Sequence, residues 1–293
     1  MNTTFKVLVS APKLKNLSPE QQRFLGEVNK KVSRAGLQTV DMDEALRLED
    51  QAREIRKLQG VIVVAFRQWQ GQRLVGKRDE AIFPTEFNHL HIAIAAAARR
   101  PLLILKDKSV SERGALKPSL GCRTVKFHSR LDPTWLEGSD FDKQFQLWLG
   151  EVKSQCDVFL GYCSKSAGTA AQIQIRLQRL GATVVNWAMD FRAGTSILSE
   201  IESARTRCTS GIFLFTEDDP LEGPNGEAAP RDNVVFEAGY FMSAKGAERC
   251  LIIREGRAKM PADLGGAIYV HLEKGGDVTT IEGRLANFLK ENV

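Results

Sequence analysis

The run Gly60–Phe66, GVIVVAF, narrows the choice of fold more than any other stretch of this chain. It has the length of a strand, is rich in β-branched residues and offers no polar side to water, which is the pattern of a central strand covered on both faces. A strand of that kind needs helices above and below it, and the flanking text supplies them.

Before it come Phe5–Val9 as a strand, a helix opened by Ser18 and Pro19 and running to Gly36, a short strand at 38–41 and a charged helix over 43–58. After it a loop rich in basic residues and glycine leads to an alanine-rich helix over 84–98, strands at 101–105 and 124–127, and a helix over 141–152. Continuous alternation of this kind predicts a doubly wound parallel sheet of flavodoxin-like type.

The second half repeats the order. Strands are expected at 157–160, 183–186, 211–215, 250–253 and 268–271, with helices to Leu180, around 195–205, over 233–244 and over 280–290. Laid over one another, the halves place Gly60 on Gly211, Glu86 on Glu237, Pro118 on Pro261 and Phe127 on Val270, and KPSLGCRTVKFH answers MPADLGGAIYVHL. The reading is an α/β chain of two tandem modules, 1–152 and 153–293. Two unrelated doubly wound domains would also share this order, so duplication and common architecture both remain open.

A chain of 293 residues with 43% apolar content has ample material for two cores. Four histidines and five dispersed cysteines, without CxxC or HxxxH spacing, leave no metal framework, and with no signal-like start they point to the cytoplasm. No apolar stretch approaches the roughly 20 residues of a membrane span. The net charge of +5 is spread along the chain without a basic block, so no nucleic-acid platform is expected.

The densest text is APRDNVVFEAGYF at 229–241, preceded by FTEDD at 215–219. Open α/β sheets bind ligands at the carboxyl ends of their strands, which is where both runs fall. Asp232 or Asn233 is expected to cap the helix and to place Glu237 in its first or second turn, on one face with Tyr240, Phe241 and Ala244. A carboxylate on an aromatic face suits chemistry, while complementing the helix dipole or pairing with Arg231 suits the pattern equally. Arg231 and Asn233 either reach ribose hydroxyls and phosphate or serve as a surface charge and a cap. Asp218 and Asp219 read ribose or simply turn the chain. Gly161, Tyr162 and Ser164 form the first strand-to-helix turn, where backbone N–H groups accept phosphate.

Taken together, VFLGYCS at 158–164, NWAMDF at 186–191, FTEDDP, APRDNVVFEAGYF and PADLGG resemble the prokaryotic TIR-like nucleotide-binding family, whose members act as effectors in cyclic-nucleotide-triggered anti-phage defence. The resemblance covers less than half the chain. It implies a TIR fold that hydrolyses the nicotinamide–ribose bond of NAD, with NAD as substrate and no separate cofactor, and a catalytic glutamate at Glu237. It also implies a loop after the second strand lying beside the nicotinamide, where Trp187 and Phe191 stand; Trp187 either stacks there or belongs to the core. Members of the family usually carry a small Gly-Ser-Ser-Ser-like run in the first turn, and this chain has GYCSKS.

The N-terminal half resembles deoxyribosyltransferase and TIR-like proteins in outline only. Glu86, with His89 three residues on, is either a second carboxylate site or a surface pair. The expected division of labour gives one module NAD cleavage and the other the sensing of a cyclic nucleotide or other nucleotide signal, or assembly into a homo-oligomer or filament. Two further readings are a non-catalytic nucleotide-binding module and a deoxynucleoside-processing enzyme that uses Glu86.

Overall fold

The structure, a computed structural model, describes residues 5–75, 80–128, 130–186, 190, 194, 196–222, 227–262 and 269–293. The chain divides between Ser154 and Gln155 into two compact units.

The N-terminal unit contains β1 (Phe5–Ser10), α1 (Pro19–Arg34), β2 (Leu37–Val40), α2 (Leu48–Lys57), β3 (Gly60–Ala65), β4 (Trp69–Gln72), β5 (Glu80–Phe83), α3 (Glu86–Ala97), β6 (Leu102–Asp107), β7 (Thr124–Phe127) and α4 (Ser139–Lys153). Five strands form a parallel sheet in the order β2-β1-β3-β6-β7, and every residue of β3 is buried at its centre. One face carries α1 and α4 over Phe24, Phe66, Phe127 and Trp148; the other carries α2 and α3 over Leu8, Val61, Val63 and Ile92. Ser18 and Gln21 close a capping box with Pro19 in the first turn, which fixes the start of α1. The basic and glycine-rich loop contains the antiparallel β4–β5 hairpin, which its lack of apolar alternation had concealed.

The C-terminal unit contains β8 (Cys156–Gly161), α5 (Ala167–Arg179), β9 (Val184–Asn186), α6 (Ile197–Arg207), β10 (Cys208–Phe215), the short pair β11 (Asp219–Pro220) and β12 (Ala228–Ala229), α7 (Asp232–Lys245), β13 (Cys250–Glu255), β14 (Tyr269–Leu272) and α8 (Glu282–Asn292). Its sheet runs β9-β8-β10-β13-β14, the same winding order, with β10 buried throughout. α5 and α8 cover one face, and α6 and α7 cover the other. The chain therefore holds two flavodoxin-like, doubly wound α/β modules. In this unit the order turns back between β8 and β10, which leaves a crevice at their carboxyl ends.

Strand register corrects the sequence alignment of the halves. Leu8 pairs with Val61 and Ser10 with Val63 on the face under α3, while Phe159 pairs with Gly211 and Gly161 with Phe213 on the face under α7. Gly211 is thus answered by Val61, not Gly60. Because side chains alternate across a strand, that slip of one residue puts Gly60, which faces Val152 and Trp148, on the opposite face from Gly211, which faces Phe213 and Phe241. Ser10 is the counterpart of Gly161.

Candidate active site

Glu237 is the sixth residue of α7, in its second turn. Its side chain lies over the end of β8: a Cβ added to Gly161 would stand 2.8 Å from Glu237 Oε2 and 2.7 Å from the Phe213 ring. Only glycine leaves room there for the carboxyl. Beneath it is an aromatic floor in which Phe159 stacks on Phe241 at 4.8 Å and 14°, with Phe213 edge-on to Phe241 at 5.4 Å.

The carboxyl is 7% exposed, and Oε2 has no hydrogen-bond partner among the described residues. Burial without a compensating cation pushes its pKa up to about 7. Buried polar atoms without partners are rare and costly, and one aimed at a strand-end glycine in the expected crevice marks a place for an incoming group.

The loops around Glu237 are tied by Asp218. Its Oδ2 accepts from Thr216 Oγ1 at 2.8 Å and from the Arg231 N–H at 3.2 Å, and its carbonyl accepts from Lys165 Nζ at 2.9 Å. The end of β10, the turn after β8 and the start of α7 meet on this one residue. Helix α7 is not capped by Asp232 or Asn233 as expected: Arg231 is the N-cap and makes no side-chain cap. Asp232 and Asn233 are instead the first two residues of the helix, and Asp218 accepts the N-cap N–H from another loop. Arg231 reaches Asp219 at 3.3 Å, and contact with the Cys163 thiol, then Asp219, holds its pKa above the ordinary value.

Of the residues chosen from sequence, Gly161, Asp218 and Arg231 gather around the start of α7 and Glu237, with Asp219 paired to Arg231. Asn233 and Ser164 are exposed nearby in sequence. Tyr162 does not join them. It packs under α5 on the opposite face, is 6% exposed, and its hydroxyl donates to Asn186 Oδ1 at 2.7 Å, since alternation along β8 points it away from Gly161. The departure from a small-residue run is therefore absorbed in the core. Trp187 and Phe191 lie outside the described residues.

Glu86 does not occupy the position of Glu237. It is the first residue of α3 and is exposed. The sixth residue of α3 is His91, and its Nδ1 meets Ser10 Oγ at 2.8 Å. Sequence comparison missed this because it matched carboxylate to carboxylate instead of following the strand faces.

Sequence reasoning also missed a cavity of about 260 Å³ at the same sheet edge, under α5, lined by Lys165, Ser166, Thr169, Thr216, Glu255 and Lys274 among others. Glu255 accepts there from Thr169 Oγ1 and the Gly275 N–H, and Lys274 pairs with Glu217 at 2.6 Å. Its polar groups satisfy one another, whereas Glu237 Oε2 is left open.

Residues 157–274 match the model of the CAP12/Pycsar effector protein TIR domain. The C-terminal unit is a TIR domain of this effector family. Among curated proteins, the chain is similar to the Pycsar effector protein BcPycTIR of Burkholderia cepacia, at 26% identity over 68% of this chain and 65% of that protein. It is also similar to CD-NTase-associated protein 12 of Sphingobacterium faecium, at 34% identity over 37% of this chain and 34% of the other, and to that of Niabella drilacis, at 28% over 46% and 44%. The chain spans between about a third and two thirds of the length of these relatives. Among solved structures, the TIR domain of the Toll-related receptor TRR-2 of Hydra magnipapillata aligns with 46% of this chain and 99% of its own, at 14% identity and a TM-score of 0.37. The TIR unit places its crevice, Gly161 and Glu237 together at one edge. No helix among its described residues, or those of the N-terminal unit, is long and apolar enough to cross a membrane.

Proposed function

We propose that the TIR unit hydrolyses NAD, with Glu237 as the catalytic carboxylate. The observation that carries this reading is the buried Glu237 carboxyl, open at Oε2 and facing Gly161 at the end of β8. The bond between C1′ of the ribose and the ring nitrogen breaks, nicotinamide leaves with the bonding electrons as a neutral molecule, and water adds to C1′ to give ADP-ribose and a proton.

The leaving group needs no acid, because the positive ring becomes neutral as it departs. What the transition state lacks is compensation for the charge that moves onto the ribose, and one carboxylate in a dry pocket supplies it. Glycosidases that expel poor leaving groups need two. Although burial favours the protonated form of Glu237 in the empty pocket, a cationic nicotinamide ring beside it favours the ionised form, so binding itself prepares the base. Arg231, beside the mouth of the site, suits a phosphate of the same substrate.

In this reading the protein is a cytoplasmic anti-phage effector that works after assembling with copies of itself, and the N-terminal unit senses a nucleotide signal or drives that assembly. Similarity to the Pycsar and CD-NTase-associated relatives supports the effector role. The exposure of Glu86 gives no support to deoxynucleoside chemistry in the N-terminal unit.

The test is nicotinamide release from NAD by the purified full chain under crowding, with and without added cyclic nucleotides, for the natural sequence and Glu237→Gln. Release should fall by about 100- to 1,000-fold in the variant, the scale of losing a main electrostatic stabiliser. Equal release by both would remove Glu237 from the mechanism.

A further inference from the structure

Helix α7 could hold Glu237 in many rotational settings, yet only one aims the carboxyl at Gly161. Beyond the buried face of Val234, Ala238 and Phe241, a directional contact bearing on this rotation lies one turn further on. Tyr240, at i+3 from Glu237, donates its hydroxyl to a Glu202 carboxylate oxygen on α6. Arg205, also on α6, pairs with Glu202 at 2.6 Å and lies over the Tyr240 ring at 4.5 Å. Phe236, the residue before Glu237, stacks on the same ring at 5.7 Å and 12°.

The Tyr240 ring is therefore fixed through its edge and through its face by α6, and the two residues flanking Glu237 on its helix surface move only if this arrangement moves. A charge-assisted hydrogen bond and an ion pair sharing one carboxylate resist rotation better than apolar packing does, because they require particular directions. Helix α6 in turn starts at Ile197, with Ser196 Oγ accepting from the Ser199 N–H, directly after the segment that follows β9. The clamp thus joins the chain after the second strand to the helix that bears the carboxylate.

We propose that Tyr240, held by Glu202 and Arg205, is a positioning residue that sets the rotation of α7 and so the aim and dryness of the Glu237 carboxyl. The consequence for chemistry rests on the reading of the TIR unit as an NAD hydrolase; the consequence for the carboxyl itself does not.

Tyr240→Phe keeps the ring, its stack on Phe236 and its contact with Arg205, and removes only the hydroxyl. Glu202→Gln leaves an acceptor in place but takes away the charge that Arg205 and the hydroxyl share. In the full chain, Tyr240→Phe should lower kcat for nicotinamide release roughly ten- to a hundredfold with KM within about twofold, the signature of misaimed chemistry and intact binding. NMR titration of the labelled Glu237 side chain should move from about 7 toward the ordinary carboxylate value as water gains access. Glu202→Gln should shift both readings in the same direction.

An unchanged kcat together with an unchanged titration in Tyr240→Phe overturns the proposal, as does a shift in Tyr240→Phe that Glu202→Gln fails to share. If the natural chain releases no nicotinamide, the hydrolase reading fails, and the titration still decides whether Tyr240 positions the carboxyl.

Discussion

The two units wind their strands in the same order and bring the sixth residue of an equivalent helix to the end of their first strand, but they treat that point in opposite ways. In the N-terminal unit the polar side chains at that point are all paired among the described residues. Thr85 donates to Asn88, Asn88 donates to the Ser10 carbonyl and hydroxyl, Ser10 faces His91 Nδ1, and His91 Nε2 faces Gln51 Oε1 at 3.3 Å. Gln51 spends its own amide hydrogens on main-chain carbonyls of the preceding loop, which leaves its oxygen to accept and assigns the histidine proton to Nε2. In the TIR unit the same place holds Gly161 and a carboxyl with an open oxygen. A closed polar network rigidifies, and an open one waits for a partner. The contrast is the one expected if the N-terminal point is structural and the TIR unit carries the proposed chemistry.

The comparison breaks most visibly at Gly161. Gly161→Ala puts a methyl group within 3 Å of both Glu237 Oε2 and the Phe213 ring, so one of them must shift. The aromatic ring is locked by Phe159 and Phe241, which leaves the carboxyl to move. Nicotinamide release should drop by about 100-fold or more, as expected for a reacting group displaced by roughly 1 Å. Overpacking should also cost about 1–3 kcal/mol in denaturant unfolding. Full activity in this variant would mean that the carboxyl does not work from its observed position.

How much of this was legible in the sequence follows from which signals are local. GVIVVAF and GIFLF declare buried central strands by composition alone, and the alternation of elements around them declares the winding. FEAGYF declares a carboxylate on an aromatic helix face. Side-chain direction at strand ends is different, because it depends on register with a neighbouring strand far away in sequence. The text GYCS therefore places Tyr162 in the first turn without showing that its side chain points under α5, and the match of Glu86 to Glu237 hides that His91 holds that place. Asp218 as the tie of three loops, and Asp232 displaced from the cap, depend likewise on loops meeting in space. The β4–β5 hairpin, with an exposed Trp69, has no apolar face to announce it.

Opposite electrostatics make a sharper test of intermediate size. Glu237 has its folded pKa raised from the ordinary carboxyl value to about 7, so the stability linked to it is complete at acid pH and is lost as pH rises through about 7. His91 is shifted the other way: burial lowers its pKa, so stability linked to it is present above the ordinary histidine value and is lost as pH falls through the folded one. Hydrogen exchange should therefore show the TIR unit gaining protection, and the N-terminal unit losing it, on acidification from pH 8. Glu237→Gln should stabilise the TIR unit at pH 8 by up to about 3 kcal/mol and have little effect at pH 4. If Glu237 acts ionised, kcat/KM for nicotinamide release should rise with pH through about 7, and kcat should level off at lower pH because the bound cationic ring favours the carboxylate. Parallel pH responses of the two units would contradict the contrast.

The smallest effects come from the N-terminal unit, and they separate a structural histidine from a chemical one. His91→Ala removes the acceptor for Ser10 and the donor for Gln51 in a region where both are buried, so each is left without its partner and with no access to water. The loss should be about 2 kcal/mol in unfolding, which is the cost of orphaning buried polar groups added to a cavity only partly refilled. Glu86→Gln, by contrast, changes an exposed side chain at the first position of α3, where only the helix dipole favours the charge, and should cost less than about 1 kcal/mol. Neither should change the rate of nicotinamide release per folded molecule. Activity lost in Glu86→Gln while the fold stays intact would place a second reacting carboxylate in the N-terminal unit, and the division into one closed and one open site would no longer stand.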